Sequence, residues 1–166
     1  MVLTFLLSCF VCPIVQGEEQ VEDKKLDFGD YTSQTLTTKA WNSLNAKKYD
    51  DATVFAKTCI KAFEKQAIEM QDSLKAPVDA SDKDAVSSKW ALNDVGTCYF
   101  ILGQALEKQG KNAEALKAYK QLIKTVSFAQ CWDPQGWFWK PADAAAKQIK
   151  LLDFEALDGD AVKKKP

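Results

Sequence analysis

Apolar residues recur at helical spacing in five stretches of this chain. Leu36, Ala40, Trp41 and Leu44 share one side of a first helix between Ser33 and Ala46, with Ser33 placed to cap it. A second, longer helix opens at Tyr49, carries Asp50 and Asp51 in the turn where acidic groups favour the helix dipole, and continues to Leu74. Its stripe runs through Ala52, Phe55, Ala56, Cys59, Ile60, Phe63, Ala67 and Met70. The polar segment 76–84, with Pro77, predicts a helix end and a loop. A third helix begins near Ser87 or Ser88, carries Trp90, Ala91, Val95, Cys98, Tyr99, Leu102 and Leu106 on one broad face, and stops near Gly110. Asn112 is placed to cap a fourth, through Ala115, Leu116, Tyr119, Leu122, Ile123 and Val126. After an aromatic loop over residues 128–139, a fifth helix starts at Pro141 and ends near Leu152, with Ala142, Ala145, Ile149 and Leu152 on its apolar face.

Within this pattern the stretch from Tyr99 to Tyr119 is the most specific. An aromatic is followed three residues on by Leu102-Gly103, and then Ala115 and Tyr119 stand at the spacing of two short helices packed antiparallel. Gly103 and Ala115 are small where two helix backbones approach. The segment resembles a tetratricopeptide repeat, a family of helix-turn-helix units of about 34 residues. Ala40 and Ala52 repeat the spacing of Gly103 and Ala115, so the first helix pair resembles a degenerate unit, in which Lys39 and Ser43 replace apolar residues of the pattern. The two units are offset by 63 residues, from Ala52 to Ala115, which the long second helix and the polar segment absorb. The fold expected is all-α: a helical-repeat array of two such units over residues 32–153, with the last helix as a C-terminal cap.

The resemblance implies binding through the inner face, lined by the first helix of each unit. That face presents Gln34, Thr37, Trp41 and Asn45 from the first unit and Thr97, Phe100, Gln104 and Lys108 from the second, a surface suited to a protein or peptide segment. It lacks the paired lysines and asparagines with which some family members clamp a carboxylate terminus. The aromatic loop is a second candidate surface: Trp132, Trp137 and Trp139 can stack a sugar ring or anchor a partner, with Asp133 and Gln135 to hydrogen-bond hydroxyls. The same loop, folded over the helix ends, would complete a small core.

Composition narrows the chemistry. The chain has 166 residues, a length suited to one domain, and its 22 basic residues are all lysine against 23 acidic ones. Without arginine there is no bidentate fork for phosphate or guanine, and the near-neutral balance supplies no counterion-release term, so nucleic acid is not an expected partner. Without histidine the chain lacks the usual general base near neutral pH and the commonest metal ligand. No phosphate loop, calcium loop or nucleophile elbow is present, and no cofactor, metal site or catalytic residue is expected. Residues 1–17, an uncharged apolar run ending in Val15-Gln16-Gly17, read as a secretory signal peptide rather than a membrane anchor. Cys9 and Cys12 would leave with it. An acidic flexible lead over residues 18–31 and a disordered charged tail over residues 154–166 complete the organisation. Cys59, Cys98 and Cys131 remain, an odd number; Cys59 and Cys98 lie on apolar faces, as buried thiols or as a bridge between neighbouring helices. The expectation is an exported periplasmic or extracellular scaffold that binds protein, with a glycan-binding accessory protein using residues 131–139 as the alternative, and with oligomerisation open.

Overall fold

The computed structural model describes residues 25–163, with side chains described as far as Phe154. The expected signal peptide, residues 18–24 of the acidic lead and residues 164–166 lie outside the described residues. The order of elements is α1 Ser33–Asn45, α2 Tyr49–Asp72, α3 Lys83–Ser87, α4 Trp90–Lys108, α5 Asn112–Thr125, β1 Cys131–Asp133, β2 Trp137–Trp139 and α6 Pro141–Lys163. The protein is thus mostly helical, as expected from the spacing of its apolar residues. Among the described residues no helix is long and apolar enough to cross a membrane.

Several boundaries differ from the sequence pattern. Thr32, not Ser33, caps α1 by accepting from the Thr35 amide at 3.2 Å, which frees the Ser33 hydroxyl for another partner. In the polar segment Asp82 accepts from the Ala85 amide at 2.9 Å and starts the short α3, so α4 begins at Trp90 instead of Ser87 or Ser88. Lys111 stands at the N-cap of α5 with no side-chain bond, and Asn112 is already helical. α6 runs past Leu152 to Lys163, a span that includes Gly159 but no proline to break the backbone ladder. Part of the expected flexible lead is docked: Phe28 stacks on Tyr31 and meets Phe55 edge-on, while Asp27 pairs with Lys39 at 3.0 Å. Two aromatic contacts are enough to hold so short a segment down.

Between α4 and α5 the chain turns as its glycine predicts. Gly110 has φ of 73°, its amide bonds Glu107 O at 2.9 Å, and the Lys111 amide bonds Leu106 O at 2.9 Å. This double closure satisfies the last carbonyls of α4. Helix α4 is the axis of the fold. Thirteen of its nineteen residues are buried, including an unbroken run from Val95 to Gly103, so it is covered on every side. It packs on α1, α2, α3, α5, α6 and β1. Helix α6 packs on α5 and α4 as α4 packs on α2 and α1. Cys59 and Cys98 are free and buried where α1, α2 and α4 meet, with Thr37 Oγ1 3.2 Å from Cys98 Sγ and 3.7 Å from Cys59 Sγ.

The α4–α5 seam depends on Gly103. A Cβ at this position would lie 2.2 Å from the Tyr119 ring, which is fully buried and bonded through its hydroxyl to Glu107. Gly103→Ala should therefore destabilise the protein by about 1–3 kcal/mol in urea unfolding despite alanine's better helix propensity. Tyr119→Leu should absorb part of that loss when combined with it, giving a non-additive pair. Additive effects, or no loss from Gly103→Ala, would show that the seam is loosely packed.

Candidate functional site

The first turns of α1 and α4 lie side by side, and the helical period sets Ser33, Gln34, Thr37, Trp41 and Asn45 along one stripe of α1. The facing stripe of α4 carries Trp90, Asn93, Asp94 and Thr97. Between them opens a cleft of about 1120 Å³ whose third wall is built by Cys131, Trp132, Asp133, Pro134, Phe138 and Trp139. Asp30, Tyr31, Thr32, Phe63, Val86, Ser87 and Gln130 complete the lining.

The third wall is a β-hairpin where the sequence pattern indicates only a loop. Cys131 pairs with Trp139, Trp132 with Phe138 and Asp133 with Trp137. Asp133 builds the turn: its carbonyl accepts from the Gly136 amide at 2.8 Å, its side chain accepts from the Gln135 amide at 2.8 Å, and Gly136 takes φ of 110°. Pro134, with its fixed φ, precedes the bend. The hairpin is moored at its base. Asn93 accepts from the Gln130 amide at 2.9 Å and donates to Val86 O at 2.8 Å, so one side chain of α4 holds both α3 and the strand entry. Gln130 donates to Val78 O at 2.7 Å, and Gln71 of α2 accepts from the Phe128 amide at 2.9 Å.

Its tryptophans have different surroundings. Trp139 turns inward, 5.3 Å from the Phe100 ring and 6.4 Å from Trp41 between centroids. Trp132 is 42 % exposed at the rim, edge-on to Phe138, with the Lys83 ammonium 4.5 Å above its ring. Trp137 is 50 % exposed and does not line the cleft.

All eight inner-face residues border concave surface. Gln34, Thr37, Trp41, Asn45 and Thr97 line the main cleft, while Trp41, Asn45, Phe100, Gln104 and Lys108 line an adjoining hollow of about 600 Å³. Their accessibility is unequal. Phe100 is only 7 % exposed, held among Trp41, Tyr119 and Trp139, and Thr97 is 2 % exposed with its hydroxyl donating to Asn93 O. Both belong to the floor and the core, in contrast to the open inner face drawn from helical periodicity. The helical face and the tryptophan segment, separate surfaces in the sequence, are here walls of one cleft.

No protein-family model, curated protein or solved structure matches this chain. The site is therefore read from its own chemistry. Among the described residues no cluster of ligating side chains is placed to hold a metal ion. Burial pushes the Cys131 and Cys98 thiols up from their ordinary range, so neither is an activated thiolate at neutral pH.

Asp94 was not apparent from the sequence. It sits beside an unbroken buried run in α4 and accepts from the Ser33 hydroxyl, tying the two helices together under the cleft. Burial raises its carboxyl above the ordinary 3.8, and the Ser33 bond opposes the shift. The only sequence signal was a carboxylate within an otherwise apolar and small-residue stretch.

The sign of this shift is informative. The native state holds the Asp94 proton more tightly than the unfolded chain does, so its contribution to stability is greatest below 3.8 and is lost as the pH rises through the raised native value. Asp94→Asn keeps an oxygen acceptor for Ser33 and removes the buried charge. The variant should melt at a higher temperature than the wild type at neutral pH, with the gap closing as the pH falls through the raised native value toward 3.8. A lower melting temperature at neutral pH would mean that the carboxylate is compensated in the folded protein.

Proposed function

We propose that this chain is a binding protein, a short tetratricopeptide-like array capped by α6, whose cleft receives an extended segment of a partner protein. The observation that carries this reading is the convergence of the α1 stripe, the α4 stripe and the hairpin on one concave, aromatic-lined surface of about 1120 Å³. Pockets for small ligands commonly span roughly 300–1,000 Å³, so a cleft continuing into a second hollow suits a larger, elongated ligand. The packing order supports the repeat architecture, because α6 relates to the α4–α5 pair as α4 relates to the α1–α2 pair. Capping turns and side-chain moorings keep the walls in place before binding, which lowers the ordering cost of association. On this reading the protein works by binding and not by catalysis, residues 1–17 direct export, and the domain acts in the periplasm or outside the cell.

A second reading has its own support. Trp132, Asp133, Trp139 and Trp41 border the same cleft as the amides Gln34 and Asn45, a combination that also suits a sugar chain.

Photo-crosslinking separates these readings. A benzophenone side chain at position 34 or 45, both exposed in the cleft lining, should capture a discrete protein in an extract of the producing organism. The same group at position 57 or 65, exposed on α2 away from the cleft, should not. Equal capture from all four positions would overturn the cleft as the binding surface. Retention of a polysaccharide, with no protein adduct, would move the assignment to the glycan reading.

A further inference from the structure

We propose that the cleft selects its partner segment by a lysine or arginine side chain, whose cationic head is received between the aromatic wall and Asp94. This rests on the reading of the cleft as a polypeptide site and names the chemistry it recognises.

Charge is segregated in this molecule. The chain as a whole nearly balances 22 basic against 23 acidic residues, yet among the described residues the main cleft is lined by Asp30, Asp94 and Asp133 and by no lysine. The first turns of α1 and α4 bring partial positive charge to the same end, about half a unit each. Three carboxylates outweigh them, and the Thr32 side chain already satisfies one of the free amides of α1.

The walls suit a cation that must leave water. Indole faces attract ammonium and guanidinium groups, more strongly as the site is desolvated. A rim aromatic of this cleft already holds one, since the Lys83 ammonium lies 4.5 Å above Trp132. A long basic side chain can lay its methylenes along Trp41 and Trp90 while its head reaches the carboxylate. Asp94 then gains the partner it lacks: its described bond is from the neutral Ser33 hydroxyl, and burial raises its proton affinity. A cation beside it reverses that shift, so binding and ionisation favour one another.

The test is selection of a random peptide library displayed on phage over the immobilised full chain at about 0.15 M salt, where remote surface charges are screened. Selected peptides should share a lysine or arginine. Replacing that residue by norleucine or citrulline should weaken binding to the wild type about tenfold or more, as for loss of a charged hydrogen bond. The same replacement should cost far less against Asp94→Asn or against Trp132→Leu, whose rim position spares the core. This coupling is what a merely structural role would not produce. Peptides that bind without a shared basic residue, or whose basic residue is uncoupled from Asp94 and Trp132, would overturn the cation assignment while leaving the polypeptide reading standing. Selection of no peptide at all would overturn both.

Discussion

The architecture depends on how closely α4 can be approached. At Gly103 a side chain would collide with the Tyr119 ring, and at Gly96 a Cβ would lie 2.3 Å from that of Ala129. The first contact seats α5. The second lets the segment entering the hairpin lie against the α4 backbone, one turn from Asn93 and Asp94. Both approaches occur on a helix whose middle is buried on all sides, in a close-packed interior that cannot expand locally to admit extra atoms. The hairpin, and with it the third wall of the cleft, is thus placed by the absence of a side chain on α4.

Helical periodicity was the legible part of this chain. The stripes of α1, α2, α4 and α5 stand where apolar residues recur, and Gly110 ends α4 in the left-handed conformation its type favours. Helix boundaries were less legible, because Ser33 is the better cap by type but its hydroxyl is taken by Asp94 on another helix, which leaves the cap to Thr32. The hairpin was missed for a different reason. Three-residue strands leave no alternation to detect, and the bonds that secure the entry come from Gln71 and Asn93, far away in sequence.

The candidate site shows the same division. Gln34, Thr37, Trp41 and Asn45 were recognisable because one helix presents them at a regular spacing. The hairpin residues were recognisable as chemistry, from three tryptophans beside an aspartate. That the two sets face one another is a tertiary fact, fixed by the Asn93 and Gln130 bonds. Phe100 shows the limit of assigning surfaces from periodicity: when a helix is covered all round, its nominal inner face is core, and only the ends where neighbours diverge stay open.

Asp94 is the residue that packing alone would not select. A carboxyl partly removed from water, with a neutral hydroxyl for a partner, loses more solvation than one hydrogen bond returns when it ionises. An asparagine would bridge Ser33 and Asp94's helix with similar shape and no charge to bury. The wall opposite is aromatic, no lysine among the described residues lines the cleft, and the cleft opens toward solvent. A carboxylate whose ionisation burial opposes, set in the lining of such a cleft, is a local conflict of the kind expected at functional sites. On the proposed reading its position turns the chemistry of the cleft toward cations, with the aromatic and acidic walls acting on the same bound group.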